Sequence, residues 1–189
     1  LYGDNIPVIA SHVAYSGIGT LEELIQNAPA ETDADSVSTA SKPFNTRNIN
    51  LSDEDVMVDF ESGGIIGLNF DQRILAVPPK DKKQTYPGDY DAKFFWENLK
   101  AMMKVVASSG HPEKEKLLDL FALGSDFDGY IDPLDSYATV LEFEKLEQDL
   151  KEVVSSDPES GELLFGMDPG TYVEKVFYGN AYDFACRHM

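Results

Sequence analysis

LFALGSDFDGYIDP, residues 120–133, sets a short apolar run directly against two acidic residues held between glycines. An apolar run this short, bounded by glycine, suits a buried strand better than a helix. The acidic turn behind it then falls at the carboxyl end of that strand, where α/β proteins hold their functional groups. The fold depends on whether similar strands precede this one and whether helices separate them.

Both conditions are met. Ile6 to Ser11 is a β-branched apolar run that predicts a buried strand ending at His12, and GIIGLNF (64–70) predicts a second. Between them, TLEELIQNA (20–28) predicts a short helix capped by Thr20, with Glu23 completing a capping box. Residues 29–42 are small, polar and acidic, and predict a loop. Ser52 opens a second capped helix with an acidic first turn, stopped by Gly63 and Gly64. Residues 71–90 predict an exposed, proline-containing excursion.

The firmest helix follows it. Ala92, Phe95, Leu99, Met102, Met103 and Val106 recur at spacings of three and four, and Gly110 closes the segment. The third strand is placed within Leu117–Leu123, its first residues shading into a turn. A second amphipathic helix is predicted over 138–154 through Val140, Leu141, Phe143, Leu146, Leu150 and Val153. Asp168 with Pro169 marks a last helix start, and Gly179–Asn180 an interruption before the final turns. Parallel strands covered by helices, in one domain over 1–189, are the packing solution this order favours.

Composition narrows the function classes. The net charge of −19 repels phosphate backbones and anionic lipid, which argues against general nucleic-acid binding. No apolar run approaches the ~18 residues of a membrane span. Neither of the two standard glycine-rich phosphate loops is present. Cys186 is the only cysteine, so no intrachain disulfide forms. The chain starts at Leu1, without an initiator methionine, and is strand-like almost at once. The expectation is that upstream sequence, with any localisation signal, has been removed. A periplasmic or secreted setting fits a removed signal, and a cytoplasmic one fits the lone cysteine.

Three strand ends carry chemistry-bearing side chains: His12, Asn69, and Asp126 with Asp128. Each has a plainer reading. A single histidine after a strand is commonly structural, an asparagine there commonly caps the next element, and GxDxDG is commonly a turn. A calcium loop would need further oxygen ligands and a terminal glutamate that this segment lacks.

Taken together, NIPVIASHVAYSG (5–17), TRNINLSDEDV (46–56), GIIGLNF, LGSDFDG (123–129) and YVEKVFYGNAYDF (172–184) resemble the carboxyl-terminal half of renal or membrane dipeptidases. These are the zinc dipeptidases, peptidase family M19, of the amidohydrolase superfamily. The resemblance spans nearly the whole chain and is weakest over 29–42 and 71–90. It implies the C-terminal part of a metal-dependent-hydrolase (β/α)8 TIM barrel, with about three of its parallel strands here. It further implies two zinc ions, and a dipeptide or similar small amide cleaved by metal-bound hydroxide. By that resemblance His12 is a zinc ligand. Asp126 lies beside the metal and moves the proton. Arg47 receives the substrate carboxylate with its planar fork, and Asn69 stands with it on the substrate side. Asp128 and Gly129 shape the loop.

The family's remaining ligands, a His-x-Asp pair, a bridging glutamate and another histidine, have no counterparts in this sequence. The only other histidines, His111 and His188, sit in contexts that predict exposure. The chain alone is therefore expected to be inactive. Its open sheet edges call for a missing amino-terminal half, a second chain or a homo-oligomer. A non-catalytic binding or assembly module that keeps remnants of such a site is the alternative, and an unrelated α/β domain is the plainest reading.

Overall fold

The apolar runs and helix caps of the sequence come together as three parallel strands with most of the helices packed on one face of the sheet and the last helix on the other. In the computed structural model, residues 6–27, 44–76 and 90–188 are described. The strands are β1 (Ile9–Val13), β2 (Ile65–Leu68) and β3 (Phe121–Leu123), in the order β1-β2-β3. Helices α1 (Leu21–Asn27) and α2 (Asp53–Ser62) lie between β1 and β2, and α3 (Tyr90–Ser108) between β2 and β3. After β3 come α4 (Phe143–Ser156), α5 (Ser160–Leu163), α6 (Pro169–Glu174) and α7 (Asn180–His188).

Caps set the helix boundaries. Thr20 Oγ1 accepts the Glu23 N–H at the start of α1. Ser52 accepts from Asp55 N while Asp55 reaches back to Ser52 N, a full capping box that starts α2. Gly63 ends α2 with a left-handed φ of 69°, a conformation costly for other residues. On α3 all six periodic positions are buried, and Trp96 and Asn98 are buried with them.

Ile66, Leu68 and Phe121 point into the main core with Phe70, Phe95, Leu99, Leu146, Leu150 and Tyr172. Ile65 and Ala122 point the other way and meet Phe184 of α7. The two faces follow from strand alternation. Asn180, buried at the start of α7, donates through Nδ2 to the carbonyls of Leu118 and Phe121, so the last helix is tied to the entry of β3.

Several expectations need correcting. β1 begins later than expected, at Ile9, and it is an edge strand with Ile9 56% exposed rather than a buried one. His12 does not end the strand. It lies in an irregularity between Ala10 and Val13, where pairing with β2 slips. The third strand agrees with its reading: residues 114–119 form a 3-10 turn, into which the start of Leu117–Leu123 shades, and 121–123 form the strand. The helix expected from residue 138 starts at Phe143, after a short 3-10 turn capped by Thr139. Leu141, counted on the apolar face, is 86% exposed because it precedes the helix, and Val154 takes the buried position expected of Val153. At Gly179–Asn180 the chain is not interrupted, because a π turn over Lys175–Gly179 carries the helix through. The segment 71–76 is not an exposed excursion: Asp71, Ile74, Leu75 and Ala76 are buried. The loop expected at 29–42 and the rest of the excursion, 77–89, lie outside the described residues. No described helix is long and apolar enough to cross a membrane.

Candidate functional site

Parallel pairing aligns the carboxyl ends of the three strands. Val13 stands opposite Leu68, and Leu68 opposite Leu123. His12, Asn69 and the Gly124–Gly129 loop consequently meet at one edge of the sheet. A fourth segment, 44–51, docks beside the continuation of β1. Leu51 N donates to Ala14 O at 2.9 Å, Ser16 N to Leu51 O at 3.0 Å, and Ala14 N to Asn50 Oδ1 at 3.1 Å. That segment carries Arg47, which is half-buried.

The short loop after β2 joins these pieces. Asn69 is fully buried; its Nδ2 donates to His12 O at 3.3 Å and its Oδ1 accepts Asp71 N. Asn50 Nδ2 donates to Ile74 O at 3.0 Å, and Asn45 Nδ2 donates to Arg73 O, which fixes the Arg47 segment to the same loop. Asp71 receives the Arg73 side chain and the Arg73 N–H. Asp132 N also donates to Asp71, at 3.4 Å, and Gln72 N donates to Asp132 O at 2.8 Å, so the Asp126 loop is drawn in too. Burial alone would raise the Asp71 carboxyl. The hydrogen bonds and charge of Arg73, with the Asp132 N–H, outweigh burial and hold it below the usual carboxylate value.

His12 is exposed, and its Nδ1 shares a 2.7 Å hydrogen bond with Ser11 Oγ. Its Nε2 is thereby the nitrogen left for a ligand. Asp126 has a φ of 56°, a left-handed conformation that aspartate tolerates better than most residues. Gly129 N donates to Asp126 O at 2.8 Å. A Cβ at Gly129 would stand 2.1 Å from Asp126 Oδ1, so the carboxylate occupies the space this glycine leaves open. Gly129 thus makes room for Asp126 more than it supplies an unusual backbone angle. Asp128 is exposed and forms no hydrogen bond among the described residues, and the loop is braced instead from Asp71.

The aligned ends bring His12, Asn69 and the Asp126 loop together, with the Arg47 segment alongside. Asn69 spends its side chain on His12 O and Asp71 N, a bracing role. Sequence reading missed Asp71, Arg73, Asn45 and Asn50. The Asp-x-Arg spacing in NFDQR was the one local sign, since it allows a carboxylate to pair with the arginine two residues on.

No family model, curated protein or solved structure matches this chain.

As donors for zinc, His12 and Asp126 offer one imidazole and one carboxylate. Catalytic zinc takes about three protein ligands. Among the described residues no group of three or more His, Cys, Asp or Glu is placed to hold a metal ion. The described donor set therefore falls short of a zinc site, and further ligands would have to join it.

Proposed function

We propose that this chain is the carboxyl-terminal part of a zinc-dependent dipeptidase-like hydrolase, built as part of a (β/α)8 barrel and acting on dipeptides or similar small amides. The observation that carries the reading is the shared strand edge: His12 within the last residues of β1, Asn69 just after β2 and the Asp126 loop after β3 stand at the aligned carboxyl ends of adjacent parallel strands. Active sites of such barrels are built at that end. The exposed edge strand β1 is where further strands would add.

In this reading the Arg47 guanidinium pairs with the carboxylate of the substrate, where two parallel hydrogen bonds fix its orientation. Asp126, its carboxylate seated over Gly129, takes a proton and returns it to the leaving amine. His12 contributes Nε2 as a ligand, with Ser11 fixing the ring. Zinc, completed by donors from the rest of the barrel, would polarise the amide carbonyl.

The test is dipeptide hydrolysis by the complete assembly that contains this chain. Asp126→Asn, which keeps the shape and removes the base, is expected to lower kcat by roughly 100- to 10,000-fold. Hydrolysis at the wild-type rate in that variant would sink the assignment.

One observation favours the alternative of a non-catalytic binding or assembly module. The sheet face away from the main core is partly closed by the chain itself: Phe184 covers Ile65 and Ala122, and the Ser11 carbonyl lies against Gly67 and Gly124. A module of that kind would bind neither zinc nor dipeptide.

A further inference from the structure

Asp59 is the one strongly buried carboxylate without a compensating partner among the described residues. It is 3% exposed, in the last turn of α2, and its Oδ1 has no hydrogen-bond partner. A buried carboxylate left unpaired is costly when charged, and the negative end of a helix adds to that cost.

The corner around it is built from Asp59's own backbone. Its carbonyl accepts Gly64 N at 2.9 Å and Ser62 Oγ at 2.9 Å. Ser62 Oγ accepts Val8 N at 3.0 Å, and Ile65 N donates to Val8 O at 3.0 Å. Gly64 has no room for a side chain, because a Cβ there would lie 2.1 Å from Val8 O. The end of α2, the start of β2 and the chain entering β1 thus share one hydrogen-bonded junction with Asp59 at its centre.

The charged groups around this corner do little to neutralise it. On α2 itself Asp55, one turn earlier, repels a second negative charge. The apolar β2 brings no charge, and Glu22 and Glu23 of α1 are exposed. Lys100 and Lys104 of α3 line a cleft with Asp53, at the far end of α2. His111 lies edge-on to Phe60, with ring centroids 5.1 Å apart. Lys116, Asp119 and Arg187 line a recess of about 80 Å³ beside Gly63 and Gly64. Of all these, only Asp55 acts on the Asp59 carboxyl by its charge.

We propose that Asp59 makes the α2–β2 corner a proton-dependent latch: with the carboxyl neutral the junction holds the start of β1, and on ionisation the junction loosens and releases it. Burial, and then the Asp55 charge, push the carboxyl from 3.8 up to about 7. Unfolded or opened, the group returns to its ordinary value. The closed state therefore holds an extra proton between those two values. Its stability falls as pH rises through that interval and levels off above the upper one. Because β1 carries His12, the latch links proton concentration to the edge of the candidate site.

The experiment is amide hydrogen exchange at Gly64 and Ile65 across pH 5–9, corrected for intrinsic rates, in the wild-type chain and in Asp59→Asn. Wild-type opening is expected to rise about tenfold between pH 6 and pH 8, while the asparagine variant stays flat. Equal pH dependence in the two proteins would overturn the latch. Should the variant fail to fold, the wild-type Asp59 carboxyl is titrated by carbon NMR. A midpoint near 7 supports the proposal, and one near 4 overturns it.

Discussion

Phe70→Ala is expected to destabilise the protein by about 3–5 kcal/mol, read from urea or thermal unfolding. Phe70 is fully buried immediately after Asn69. Its ring stands 5.4 Å from Phe95 of α3, 5.3 Å from Phe127 and 5.7 Å from Phe143, centroid to centroid. One side chain therefore joins the end of β2, the middle helix, the acidic loop and the start of α4. Truncation removes the transfer energy of the ring and leaves a cavity that three separate elements would have to collapse into. Phe127 lies between Asp126 and Asp128, so the same change should loosen the acidic loop beyond the average loss of stability. Faster exchange at Gly129 N, whose acceptor is Asp126 O, is the local sign to look for. A loss below about 1 kcal/mol would mean that this aromatic cluster does not organise the loop.

Gly124→Ala is the second large effect. A Cβ at this position would stand 2.1 Å from Ser11 O and 2.7 Å from Gly67 O, both backbone atoms that cannot rotate away. The irregularity in β1 brings the Ser11 carbonyl over the sheet, and the absence of side chains at Gly67 and Gly124 is what admits it. One added methyl group should cost about 2–4 kcal/mol or push β1 away from its neighbour. Loss of protection at Asn69 N, which donates to Val13 O at 2.8 Å, would report the displacement. Gly161→Ala is the matched control, since nothing lies within 4 Å of its added Cβ. A Gly124→Ala protein as stable as that control would contradict the close approach of β1.

These two sites also show what the sequence made legible. The period of α3, the caps at Thr20, Ser52 and Asp168, and the apolar run of β2 are local signals, and each element forms close to where its residues indicate. Features set by distant partners were not legible. The strand run at Ile6–Ser11 is rich in β-branched residues, but nothing within it states that it will lie on an edge. Val140 and Leu141 continue the apolar stripe of α4 and still stay exposed, because Thr139 caps the chain one turn ahead of the helix proper. Asp71 looked like part of a polar excursion, and only the fold shows that it gathers Arg73 and Asp132. For the candidate site, the strand ends indicated which residues parallel pairing would bring to one end of the sheet. The amides that hold its loops, Asn45, Asn50 and Asn69, act on carbonyls and N–H groups far along the chain. No spacing rule exposes such partners.

The unpaired acid at Asp59 is illegible for the same reason. In DEDVMVDFES it reads as one more acidic residue of an acidic helix, and burial alone distinguishes it from Asp53, Glu54 and Asp55.

Native mass and zinc content, measured together on the purified material before and after denaturation, test the central claim most directly. The account predicts a native species heavier than the 20.9 kDa chain, holding about two zinc ions per assembled barrel and hydrolysing dipeptides. A metal-free 20.9 kDa monomer, or a zinc-free assembly of this chain with itself, inactive on dipeptides, would contradict it.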